Sequence, residues 1–170
     1  TRWKIAWSKP GFTISGMSFT PASRALATTR GSTRPQMMPL LSIEKFTELY
    51  RVRCALEGLA AELAAANVGA KHVRKLDKLL DEIETAILEH DSRSYMSRNE
   101  KFHFLIYERA KSPLLLELIQ DRWSQVGPFF NELFEDTDYL PHANEHHRRI
   151  VAALRVGDAA RVRQSIIDDI

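Results

Sequence analysis

The chain has 170 residues, 44% hydrophobic and 27% charged, with a formal net charge of +2. That is the composition of a globular chain with room for one ordinary domain and a short appendage. It excludes a membrane-spanning helix, because no run of about 18 apolar residues occurs, and the first residues lack the charged, apolar, small-residue order of a secretory signal. A single cysteine, Cys54, offers no internal disulfide and fits a reducing, cytoplasmic setting as a buried inert thiol.

The predicted elements begin with a contrast. Thr1 to Leu40 holds six basic residues (Arg2, Lys4, Lys9, Arg24, Arg30, Arg34) and no acid, whereas Leu41 to Ile170 holds 18 basic against 22 acidic ones. Residues 1–40 are rich in Ser, Thr, Gly and Pro and carry no helical or alternating period, so they read as a loop-like basic segment, with at most a short strand at FTISGMSFT. From Leu41 the pattern turns helical. Ser42 is placed to cap a helix in which Phe46, Leu49, Leu56, Ala60 and Leu63 recur every three or four positions until Asn67-Val68-Gly69. A second helix runs from about Lys71 to Glu89, with Leu76, Leu79, Leu80, Ile83 and Ile87 on its apolar face. Ser92 is read as the cap of a third, Ser94 to Ala110. Ser112-Pro113 opens a fourth, carrying Leu116, Ile119, Trp123, Val126 and Phe130 and interrupted at Gly127-Pro128. Pro141 opens a fifth to about Arg155, and Gly157-Asp158 stops it and caps a sixth. The expected fold is all-α: an antiparallel bundle of about six helices with domain bounds 1–40 and 41–170.

Several polar residues fall on the apolar faces. Arg53 shares the stripe of Phe46, Leu49 and Leu56, where a guanidinium must be paired, reach solvent or grip an anionic ligand. Asn99 and His103, four apart, lie on one helix face between Tyr95 and Ile106, a spacing that can bring two ligands to one metal. In the fifth helix His147 faces inward with Ile150, Val151 and Leu154, while His142 and His146 share a flank. Asp169 lies at the edge of the Val162, Ile166, Ile170 stripe. Converging imidazole and carboxylate groups can hold a divalent cation; a satisfied polar network in the core is the other reading of the same positions. No Gly-rich phosphate loop, thiolate cluster or Ser-His-Asp order occurs, so no nucleophile and base are singled out and an enzyme is not expected.

The runs FTELYRVRCALEGLAAELAA, NEKFH and EHHRRIVAALRVGDAARVRQSI stand in an order that resembles the ligand-sensing C-terminal domain (FCD) of the FadR-type branch of the GntR transcriptional regulators, from about Leu41 to Ile170. The landmarks are R-x-x-L-E (Arg53, Leu56, Glu57), a D-x-x-F-H-like element and H-x-x-I-x-x-A-L-x-x-G-D. The resemblance implies a dimeric helical domain enclosing an effector cavity, in which an aspartate and three histidines hold zinc, nickel or manganese and an arginine helps bind the carboxylate of a small organic acid. Carried across, the ligand set is Asn99, His103, His147 and Asp169, the effector-facing residue is Arg53, and the metal is a divalent cation with zinc the first choice.

This chain departs from that pattern in two places. Asn99 brings a neutral amide where a carboxylate is usual, and Asp169 brings a carboxylate where an imidazole is usual; the set still totals one carboxylate and two imidazoles. Such regulators also carry a winged helix-turn-helix at the front, and residues 1–40 show no such pattern, so DNA binding is expected only through a domain absent from this chain. The expected function is effector sensing for a transcription regulator, as a homodimer. A helical-bundle metalloenzyme and a non-catalytic helical interaction module are the competing readings.

Overall fold

The computed structural model describes residues 43–126 and 140–170. Outside them lie residues 1–40, the Ser42 cap, Gly127-Pro128 and Phe129-Phe130; the His142 side chain is likewise not described. The described residues form α-helices and one short 3₁₀ turn, with no strand: α1 Ile43–Ala65, α2 Ala70–Leu88, α3 Ser92–Tyr107, the 3₁₀ turn Glu108–Ala110, α4 Pro113–Ser124, α5 Leu140–Val156 and α6 Ala159–Asp169. The six-helix, all-α expectation holds for them.

Two helical hairpins are built by the same local chemistry. At the end of α2, His90 takes the left-handed conformation (φ 52°), its N–H reaches Ile87 O at 3.1 Å, and the Asp91 N–H reaches Ala86 O at 2.9 Å. At the end of α5, Gly157 (φ 69°) and Asp158 repeat the pattern on Leu154 O and Ala153 O at 3.2 and 3.3 Å. Both are Schellman closures. Each is followed at once by an aspartate cap: Asp91 Oδ1 accepts from the Ser94 N–H, and Asp158 Oδ1 from the Arg161 N–H, both at 3.0 Å. Links this short return α3 beside α2 and α6 beside α5 as antiparallel neighbours.

Some boundaries differ from expectation. Asp91, not Ser92, caps the third helix, because the left-handed residue before it aims the carboxylate at the open N–H groups. That helix gives way to the 3₁₀ turn after Tyr107. The fourth ends at Ser124, before the Gly-Pro pair expected to break it, and Val126 follows as a buried residue outside the helix.

Leu76, Ile83, Phe102, Ile106, Ile119, Ile150, Val162 and Ile166 are fully buried and form one continuous core, each contributing about 1.5–3 kcal/mol of burial. On α1 the buried face is shifted toward Glu57, Ala61 and Ala64, which leaves Leu63 at 43% and Leu59 at 41% exposure. α1 packs extensively on α6. Gly58 makes room for that approach: a Cβ there would lie 3.1 Å from Ile167 Cδ1. Ion pairs such as Arg163–Glu62 (2.8 Å) and Arg98–Glu82 (2.7 Å) decorate the helix seams, and at the surface such pairs are worth about 0–1 kcal/mol.

Candidate metal centre

Three helices bring His103, His147 and Asp169 together. His103 on α3 and His147 on α5 are 2% and 1% exposed, and the Asp169 side chain at the end of α6 is 13% exposed. His103 Nε2 stands 3.2 Å from Asp169 Oδ2, and His147 Nε2 stands 3.5 Å from Asp169 Oδ1. One ligand atom from each of the three lies within 4.8 Å of the others. The imidazoles meet edge to face, with centroids 5.3 Å apart, and Phe102 packs on His147 with centroids 4.6 Å apart.

The hydrogen-bond partners behind each ring decide where its proton sits. Asn144 Nδ2 donates to Leu80 O (3.0 Å) and Glu84 Oε2 (2.9 Å), which fixes the amide so that Oδ1 faces His147 Nδ1 at 3.2 Å. An oxygen there requires Nδ1–H, so neutral His147 directs the lone pair of Nε2 at Asp169. Burial pushes His147 down to a pKa of about 4, against the pull of Asp169. Burial works in the opposite sense on Asp169, yet His147 and His103 outweigh it and hold the carboxyl down to about 2. At neutral pH an imidazole lone pair therefore faces an ionised carboxylate, acceptor against acceptor. A cation between them resolves that conflict.

The donor set fits one. Metal–nitrogen and metal–oxygen bonds of about 2.0–2.2 Å place neighbouring ligand atoms roughly 3 to 3.5 Å apart, close to the 3.2 and 3.5 Å between each imidazole and Asp169. Two imidazoles and a carboxylate suit zinc and other first-row divalent metals. Asn99, 4% exposed, lies one turn before His103 on the same helix.

Arg53 is 8% exposed on α1 and is held by an internal partner. Its Nε–H and Nη2–H donate to the two oxygens of Glu57 at 2.6 and 3.3 Å. Burial opposes the Arg53 charge, but Glu57 and, more weakly, Tyr107 and Asp169 raise its pKa. Glu57, 1% exposed, also accepts from Tyr107 Oη (2.7 Å) and Trp123 Nε1 (2.9 Å). The Arg53 guanidinium lies 5.3 Å from the Trp123 ring centroid. Tyr107 closes the circuit, with its hydroxyl 3.2 Å from His103 Nδ1.

Glu57, Tyr107, Trp123 and Asn144 carry no role in the sequence reading, yet each contacts one of its candidate residues. Helical spacing held the signal for three of them. Glu57 is four past Arg53, Tyr107 four past His103, and Asn144 three before His147. His146, by contrast, is only partly buried on the flank beside His147.

Fold and site together define an all-helical effector-binding domain. The chain belongs to the FCD domain family, whose pattern matches residues 48–170. It is homologous to the HTH-type transcriptional regulator McbR of Escherichia coli (strain K12), a GntR-family regulator, at 27% identity over 163 residues, 90% of this chain and 73% of the relative. That similarity reaches beyond residues 48–170 into the residues ahead of them. Among solved structures, E. coli McbR/YncC superposes with a TM-score of 0.72 at 27% identity, covering 77% of this chain and 66% of that one. The chain thus spans just under two thirds of the solved relative. No helix among the described residues is long and apolar enough to cross a membrane.

Proposed function

We propose that this chain senses a small organic acid for a GntR-type transcription regulator, through a divalent cation held by His103, His147 and Asp169 with Asn99 as a weak fourth ligand. The observation that carries the reading is the imidazole lone pair set against an ionised carboxylate, an arrangement a cation completes. Zinc is the first candidate for the ion, with nickel and manganese as the others. Bound there, it supplies a Lewis-acidic anchor for a carboxylate.

Arg53 supplies the second anchor. Glu57 engages two of its five N–H groups, and the Nη1/Nη2 end of the fork remains suited to the effector's carboxylate. Glu57 keeps the guanidinium neutralised and oriented before the ligand arrives, and preorganisation of that kind lowers the cost of binding. The effector alters transcription by favouring one arrangement of a homodimer over another. DNA recognition then belongs to a helix-turn-helix domain of the kind named in the relative, in the cytoplasm.

Calorimetric titration with a panel of small mono- and dicarboxylates tests the reading. Zinc-loaded protein is expected to bind at least one acid saturably without turning it over, and Arg53→Lys to weaken that binding. Turnover would instead favour a metalloenzyme; failure of every acid to bind metal-loaded protein would sink the sensor assignment.

A further inference from the structure

Tyr107 ends α3 one turn after His103 and is 1% exposed. Its hydroxyl has two acceptors in reach, Glu57 Oε2 at 2.7 Å and His103 Nδ1 at 3.2 Å, and one proton to give. The carboxylate of an ion pair is the stronger acceptor and also the closer one, so the proton goes to Glu57. The hydroxyl oxygen then shows His103 only lone pairs, and Nδ1 must carry a proton to meet them. In the neutral ring this leaves Nε2 unprotonated, 3.2 Å from Asp169 Oδ2.

We propose that Tyr107 is a positioning residue of the metal centre: by committing its proton to Glu57 it holds His103 with Nδ1 protonated and so presents Nε2 to the cation. The inference rests on the metal reading: Asp169 Oδ2 competes for the His103 proton at Nε2, and a cation on Nε2 leaves Nδ1, facing the Tyr107 oxygen, as the place for it. Asn144 does for His147 what Tyr107 does for His103. The difference is that Tyr107 is tied through Glu57 to Arg53, so one hydrogen-bonded chain orients both the cation-binding imidazole and the anion-binding guanidinium. Ring orientation by such outer partners is a recurring determinant of metal affinity. Packing alone would require only an aromatic ring at this position, which Phe supplies.

Two measurements on the full chain separate these roles. Long-range proton–nitrogen correlation of the histidine rings is expected to show His103 Nδ1 protonated in the zinc-bound protein. An unprotonated Nδ1 in the zinc-bound protein overturns the proposal. In chelator competition, Tyr107→Phe is expected to bind zinc about 10- to 100-fold more weakly than the parent while still unfolding cooperatively. Zinc affinity within about twofold of the parent overturns the positioning role and leaves the metal site itself standing. A parent that takes up no zinc overturns the metal reading and this inference with it, whereas parent-like zinc uptake by Tyr107→Phe overturns this inference alone.

Discussion

His103 Nε2 and Asp169 Oδ2 face each other at 3.2 Å, although one residue belongs to α3 and the other is the last residue of α6. The contact depends on α6 lying tightly against α1, which Gly58 permits, and on the Gly157-Asp158 closure that turns α6 back along α5. A local feature of the chain thus sets a long-range distance in the site.

Metal-free protein should lose stability in mild acid. The folded pKa of His147 is depressed to about 4 from 6.5, so the unfolded chain takes up this proton first. The contribution is fully present above pH 6.5 and is lost as pH falls toward 4, by about 2–3 kcal/mol. Asp169, also depressed, acts in the same direction at lower pH: its share is present above the ordinary carboxylate range and is lost as pH falls through about 2. Urea unfolding at pH 7.5 and pH 4.5 measures the change, and His147→Gln should flatten it. An equal slope in parent and variant would contradict the assignment.

Arg53 and Glu57 should behave as one unit. Arg53→Met leaves the Glu57 carboxylate buried without its cation and is expected to cost about 3–5 kcal/mol. Adding Glu57→Gln removes the stranded charge and should recover a large part of that loss. Denaturant titration of the single and double variants reads the coupling directly. Additive losses would mean that the pair is not the buried salt bridge the geometry describes.

The left-handed residue at the end of α2 is a histidine, and the one before α4 is Lys111 at φ 54°. Side chains there are strained by roughly 1–2 kcal/mol relative to glycine. His90→Gly is therefore expected to raise stability by about 0.5–1 kcal/mol after the entropy of glycine in the unfolded chain is counted. The reverse experiment, Gly157→Ala, should lower it. Thermal melts of the two variants beside the parent suffice to show the opposite signs.

The legible part of this protein was the part written in helical periodicity. Apolar spacing and the Gly, Pro and Asp signals marked each described helix, and the inward places of Asn99, His103 and His147 followed from the same count. Asp169 came from the family resemblance together with its place at a stripe edge. The pattern could not show pairing across helices. Glu57, four past Arg53, was within reach of the helical count, but no spacing showed that Tyr107 and Trp123 from two other helices would also close on its carboxylate. Leu63 lay on the repeat yet is exposed, since the small residues Ala61 and Ala64 take the buried face instead. Asn144 and Tyr107 matter through bonds to Glu84 and Glu57, contacts that exist only after α2, α5, α1 and α3 have packed.

The central claim is that His103, His147 and Asp169 hold one divalent cation. Elemental analysis by plasma mass spectrometry, on tag-free protein beside His103→Ala and His147→Ala, tests it most directly. The account predicts near-stoichiometric zinc, nickel or manganese in the parent and its loss in both variants while the helical circular dichroism persists. Parent protein that carries no such metal and cannot be reloaded after dialysis would contradict it.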